Sequence, residues 1–188
     1  MKAYKTEINP TPSQIELIHK TFGCTRYIYN QFVSENLENL ALSKDFISAF
    51  EYSKRVNNDP NTPTWLKEVP SKAIKQALIY AERAFKDYIS KRKGKPKFKK
   101  KGSSESFYLT GTIKVERHRI FVPVLKWLRL KEFGYIPNNI SSVTISMKNG
   151  RYSISCLCKD EKDERIPLSD YNMGIDFGLK DQFITENR

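Results

Sequence analysis

The sequence predicts an α+β protein: an N-terminal strand, a helical segment, and a run of short antiparallel strands that points to a small β-barrel. Three observations carry this. Apolar residues recur at helical spacing between Ile15 and Ile89. After Ser103-Ser104 the apolar period changes from 3.6 to 2. Late in the chain, Asn149-Gly150 separates two alternating runs, a strong short-range hairpin signal.

Residues 2–8 alternate, with Tyr4, Thr6 and Ile8 on one face, and read as a strand that Asn9-Pro10-Thr11-Pro12 ends. Thr11 is a good N-cap, Pro12 suits the first helical position, and Gln14 completes a capping box. The helix that follows carries Ile15, Ile18 and Phe22 and is expected to stop near Gly23. A second helix is expected from about Thr25 to Leu42, with Ile28, Phe32, Val33, Leu37 and Leu40 inward. Lys44 to Asn58 reads as a weaker helix, followed by a loop to Pro63. The last helix is expected from near Ser71 to about Arg92. Its stripe of Ile74, Ala77, Leu78, Ala81, Phe85, Tyr88 and Ile89 reads as the core of a small bundle.

Phe107–Leu109, Ile113–Val115, Ile120–Val122 and Leu128–Leu130 read as short strands. A type I′ turn at Asn149-Gly150 sets Met147 opposite Tyr152, Ile145 opposite Ile154 and Val143 opposite Cys156. Short strands with one apolar face suggest a barrel of the oligonucleotide-binding type.

Lys and Arg number 33 against 21 Asp and Glu, a net charge of +12. Such an excess speaks for a polyanionic partner, and the 10 Tyr and 11 Phe exclude a disordered basic tail. The chain has no 18-residue apolar run and no signal-peptide core near Met1, so a cytoplasmic protein with no membrane partner is expected. Cys24, Cys156 and Cys158 are too few for a four-thiolate zinc site, and an odd number argues against a disulfide framework. Cys156 and Cys158 share one face of a strand, where packing is the expected role. His19 and His118 are isolated, and no P-loop, nucleophile elbow or dinucleotide motif appears.

The loudest compositional signal is Lys91-Arg92-Lys93-Gly94-Lys95-Pro96-Lys97-Phe98-Lys99-Lys100-Lys101. A run of this kind reads either as a solvated linker or as a strip of phosphate contacts. The interleaved Phe98 favours the second, since an aromatic adds base stacking. A charged stretch from Asp160 to Arg165, closed by Pro167, marks a boundary before Met173-Gly174-Ile175-Asp176. There the pattern is strand, turn at Gly178, then strand through Phe183, Ile184 and Thr185. A carboxylate in mid-strand needs a cation or hydrogen bonds, so Asp176 either caps a turn or faces a hard divalent ion. Only Asp181 and Glu186 follow it, whereas metal-assisted phosphodiester hydrolysis draws several carboxylates together.

Five stretches occur in the order found in one family: Pro10 to Gln14, Arg26-Tyr27-Ile28-Tyr29-Asn30, Ala84-Phe85-Lys86, Gly94-Lys95-Pro96-Lys97-Phe98-Lys99, and Gly174-Ile175-Asp176-Phe177-Gly178-Leu179-Lys180-Asp181. Together they resemble the N-terminal half of TnpB/OrfB proteins, which are encoded by insertion sequences and related to type V CRISPR effectors. The resemblance implies an RNA-guided, metal-dependent DNA endonuclease associated with transposition. It implies that residues 1–10 join a wedge barrel at 104–160, and that residues 11–92 form a recognition lobe, helix-turn-helix-like, inserted into it. Residues 93–103 would be a basic linker, 161–171 a second linker, and 172–188 the start of a RuvC/RNase H-like domain.

The implied partners are guide RNA and double-stranded target DNA. The implied contact residues are Arg26, Tyr29, Asn30, Lys72, Lys75, Gln76, Lys91, Arg92, Lys93, Lys95, Lys97, Phe98, Lys99, Lys100 and Lys101. Asp176 would be the first of three metal-binding carboxylates, with Mg2+ the cofactor of the complete nuclease. The others, and a zinc-ribbon insertion, are expected beyond Arg188, so this chain alone is expected to be inactive. The alternative is a non-catalytic DNA- or RNA-binding regulator of the same build. Residues 169–188 are expected to be poorly ordered in isolation or to borrow a partner for their exposed strands, in an oligomer or otherwise. Two positions depart from the family pattern: Lys75 stands where a Gln is usual, beside Gln76, and Pro123-Val124-Leu125-Lys126 replaces Pro-Lys-x-Gly.

Overall fold

The protein, seen as a computed structural model, is described over residues 1–102, 104–132, 134, 136–159, 173–176 and 184–187. Helix α1 (Pro12–Ala41) starts where the capping box demands. Gln14 Oε1 accepts from the Thr11 N–H at 2.9 Å, and the Thr11 hydroxyl accepts from the Gln14 N–H at 3.4 Å. The helix then runs for 30 residues, so the expected stop at Gly23 does not occur. A glycine inside a helix costs only about 1 kcal/mol. Burial of Ile18, Phe22, Ile28 and Phe32 on either side of it outweighs that cost.

Helix α2 (Ala49–Asn58) begins later than expected, behind a second capping box formed by Ser48 and Glu51. The strap before it is held by Asn36, which is buried. Its Oδ1 accepts from Ile47 N–H at 2.8 Å and its Nδ2 donates to Ile47 O at 3.3 Å. A 3-10 turn, Thr64–Glu68, leads into α3 (Ser71–Ile89). That helix ends sooner than the expected Arg92 because Lys91 turns left-handed (φ 57°), and the N–H groups of Arg92 and Lys93 donate to Asp87 O at 2.9 and 3.0 Å. The three helices enclose one apolar cluster that includes Ile28, Phe32, Val33, Tyr52, Leu66 and Leu78.

The strands are β1 (Lys2–Asn9), β2 (Ser104–Leu109), β3 (Lys114–Glu116), β4 (Arg119–Val122), β5 (Lys126–Leu130), β6 (Ile140–Lys148) and β7 (Arg151–Cys158). They form one antiparallel sheet in the order β2-β6-β7-β1-β5-β4-β3. The first strand of the chain is thus central, and all three helices interrupt the sheet between β1 and the edge strand β2. The expected barrel takes the form of an open sheet: among the described residues no ladder joins β2 to β3. Lys2–Glu7 pair with β7 while Ile8 and Asn9 pair with β5, so β1 belongs to both halves. Both halves bury one core, with Phe107, Ile145 and Ile154 from one side and Ile120, Leu128 and Leu130 from the other. Ile18 and Phe22 of α1 enter the same core, so a helix supplies cover that a closing ladder would otherwise give.

The β6–β7 register is the one the Asn-Gly turn demands: Met147 faces Tyr152, Ile145 faces Ile154, and Val143 faces Cys156. Asn149 and Gly150 both have positive φ, 50° and 77°, as a type I′ turn requires. Cys156 and Cys158 pack in the core, and burial pushes the Cys156 thiol up to about 12. A separate antiparallel pair, β8 (Met173–Asp176) and β9 (Ile184–Asn187), sets Asp176 opposite Ile184 and Gly174 opposite Glu186. The expectations for linker 161–171, for Gly178, Asp181 and Phe183, and for the ordering of 169–188 as a whole lie outside the described residues. No described helix is long and apolar enough to cross a membrane.

The turn into β5 carries strain, with Val124 at φ 72° and Lys126 at φ 60°. Gln14 braces this turn: its Nε2 donates to Leu125 O at 2.9 Å and Trp127 O at 2.8 Å, while its other atom caps α1. Replacing Gln14 by Ala should lower stability by about 2–3 kcal/mol in urea unfolding, through the lost cap and two unpaired carbonyls. Lys126→Gly should raise it by about 1 kcal/mol, by relieving the left-handed side chain.

Candidate nucleic-acid interface

The basic linker after α3 is fastened at both ends. At its start, the Asp87 carboxylate, nearly buried, takes Lys93 Nζ at 2.9 Å and Arg92 Nη2 at 3.0 Å. The Lys93 hydrogen bond, with the Lys93 and Arg92 charges behind it, holds the Asp87 carboxyl below the usual aspartate range. At its far end, Asn30 grips the main chain of Lys99. Asn30 Nδ2 donates to Lys99 O at 2.9 Å, and Lys99 N–H donates to Asn30 Oδ1 at 2.8 Å. One side chain thereby satisfies both polar groups of a residue that has no ladder partner.

Arg26, Tyr29 and Asn30 stand at i, i+3 and i+4 and so occupy one face of α1. Lys99 Nζ lies 4.3 Å from the centre of the Tyr29 ring, which is buried beneath it. Loss of water there pushes the Lys99 ammonium below the usual lysine range and the Tyr29 hydroxyl above its own. Arg26 reaches across to pair with Glu105 on β2. Arg26, Lys99 and Glu105, with Phe22, Thr25, Lys100 and Ser106, line a cleft of about 320 Å³ between α1, the linker and β2.

The structure thus divides the sequence-predicted contact residues into two kinds. Arg26, Tyr29, Asn30, Arg92, Lys93 and Lys99 have partners within the protein and act as fasteners. Lys95, Lys97, Phe98, Lys100 and Lys101 are exposed between or beside the fasteners, Phe98 at 52 %, and no ion pair among the described residues neutralises those four lysines. Lys91 is exposed at the left-handed exit of α3. Lys72, Lys75 and Gln76 sit in the first turns of α3, about 25 Å along its axis from the linker's start. Lys72 lies beside Gly111, where an added Cβ would meet its Nζ at 3.1 Å. Lys75 borders a groove against Phe50, Ser53 and Asn57 of α2.

Asp176 is on β8, two register positions from Glu186 on β9. Among the described residues no group of three or more His, Cys, Asp or Glu side chains converges as a metal site. Sequence reasoning missed Asp87 and Glu105 as partners, because each answers a cation that its own local pattern does not announce. It also missed the paired aromatics Phe121 and Trp127, although the alternation around both was readable.

Comparison with known proteins bears on these residues. The OrfB-type family described as "Helix-turn-helix domain" matches residues 1–45. Residues 12–41 of that stretch are one unbroken helix here, so the expected helix-turn-helix break is not realised within them. The chain is similar to "Putative RNA-guided DNA endonuclease InsQ" of Escherichia coli (strain K12), at 27% identity over 186 residues, 95% of this chain and 46% of the relative. It is similar also to a "Putative RNA-guided DNA endonuclease" of Streptomyces pristinaespiralis, at 26% identity over 189 residues, again 95% and 46%. The chain spans about half the length of these curated relatives.

Asn30→Ala should release the linker without unfolding the helices. Two hydrogen bonds of about 1 kcal/mol each make local opening some 30-fold more frequent, read as faster tryptic cleavage after Lys99 with unchanged circular dichroism.

Proposed function

We propose that this chain, a member of the TnpB/OrfB family, is the N-terminal nucleic-acid-binding part of an RNA-guided DNA endonuclease. In this reading the fastened linker grips the guide RNA. The helices are the recognition lobe and the open sheet the wedge that hold RNA and target duplex together. The observation that carries the reading is the linker's attachment to α1 through Asn30 and Tyr29. A cationic strip already tied down loses less freedom on binding than a floating one, so more of each phosphate contact appears as affinity. The net charge of +12 supports a polyanionic partner, and the relatives' names supply its kind. The position of the helices between β1 and β2 fits a lobe inserted into a wedge.

Within the same proposal, β8 and β9 are the first strands of a RuvC-type domain and Asp176 is its first metal-binding carboxylate. The described residues do not by themselves compose a Mg2+ site. Mg2+ is assigned to the complete nuclease, where further carboxylates would join Asp176.

Fluorescence anisotropy across a salt series tests the binding role. Changing Lys95, Lys97, Lys100 and Lys101 together to Gln should flatten the log–log salt slope for a structured RNA by about 3, since each phosphate contact contributes about 0.7–0.9. Asp176→Ala should leave that affinity unchanged. An unaltered slope in the fourfold variant would overturn the linker assignment, and tight binding to duplex DNA without preference for RNA would favour a regulator instead.

A further inference from the structure

The short half-sheet β3–β4–β5 presents a second, independent surface. Val115, Ile120, Val122, Leu128 and Leu130 point into the core. The alternate residues form two rows across the strands on the other face. In one row Lys114 faces Phe121, which faces Trp127. In the next, Glu116 faces Arg119, which faces Arg129, which faces Asn9 of β1. Phe121 and Trp127 are in edge contact at 5.5 Å between ring centres, and both are half-buried rather than enclosed.

Cations frame this aromatic pair. The Arg119 guanidinium lies 4.4 Å from the centre of the Trp127 ring and also donates to Glu116, the one acid of the two rows, at 2.7 Å. Lys114, Arg129 and Arg117 at the β3–β4 turn are exposed, and no ion pair among the described residues holds them. Two large aromatics side by side on a solvent-facing sheet, with unpaired cations at their margins, match the two requirements of a nucleic-acid strand: flat rings for bases and charge for phosphates.

We propose that the outer face of β3–β4–β5 is a stacking platform for unpaired nucleotides of RNA, centred on Phe121 and Trp127, with Lys114, Arg117 and Arg129 on the phosphates. The proposal rests on the reading of RNA as a partner of this chain but uses a site separate from the linker. The occupant is unpaired because a duplex hides its base faces within its own stack, whereas loops and ends of RNA offer theirs. The Arg119 guanidinium over the Trp127 ring is a contact that restrains the ring's orientation.

The test uses the full chain with Trp65→Phe, so that Trp127 is the sole tryptophan. It is titrated with an unstructured 12-nucleotide RNA, with the same sequence as single-stranded DNA, and with a blunt RNA duplex. The single-stranded RNA should quench Trp127 emission, and Trp127→Leu or Phe121→Leu should weaken its binding by about 5- to 150-fold. Both variants should keep duplex binding, because the linker supplies that. Unquenched emission, or single-strand affinity unchanged in both variants, overturns the platform while leaving the linker reading intact. Equal quenching by the DNA strand overturns the assignment to RNA. Failure of the unmodified chain to bind any of the three probes overturns the linker reading together with this one.

Discussion

Three amide side chains on one helix hold this architecture together. Gln14 joins the start of α1 to the strained turn before β5, Asn30 joins its middle to the basic linker, and Asn36 joins its last third to the strap before α2. An amide is suited to this work because it carries both a donor and an acceptor. It satisfies main-chain groups that neither helix nor ladder serves, and those groups would be costly if left bare. A continuous α1 is the precondition. Were the chain to turn at Gly23, Gln14 and Asn30 would lie on separate bodies, and the linker would have no fixed relation to the sheet. Leu17 shows the same coupling in apolar form, since it packs against both the sheet core and the helical core.

Residues that carry the family resemblance thus have architectural duties. Gln14 caps and braces, Asn30 clamps, Tyr29 forms the floor beneath Lys99, and Arg26 pairs with Glu105. Lys95, Lys97, Lys100 and Lys101, by contrast, are exposed and take part in no ion pair among the described residues. A helix anchors the strip and the strip presents charge. The binding role proposed for the linker follows from that division of labour.

Legibility from sequence followed the range of the interaction. The Thr11–Gln14 box and the Asn149-Gly150 turn are local, and both fold as their residues require, down to the β6–β7 register. The alternation of β1 named Tyr4, Thr6 and Ile8 as one face, and Thr6 and Ile8 are buried. Gly23 was misleading because glycine's cost in a helix is small beside the burial of Ile18, Phe22 and Ile28 around it. The late start of α2 at Ser48 and the early end of α3 depend on Asn36 and Asp87, whose roles appear only once distant segments are packed. The open sheet was likewise not readable, since period-2 patterning gives the inward face of each strand but not whether the last strand meets the first. Of the site, the charge of the linker was plain, whereas its fastening to α1 joins residues 69 positions apart.

The central claim is that the fastened linker is where this chain meets nucleic acid. Ultraviolet crosslinking of the full chain to a structured RNA, followed by mass spectrometry of the tryptic peptides, addresses it most directly. The account predicts crosslinks at Phe98 and its flanking lysines that disappear when excess unlabelled RNA competes. Crosslinks confined to the α2–α3 groove beside Lys75, with none between residues 91 and 102, would contradict it.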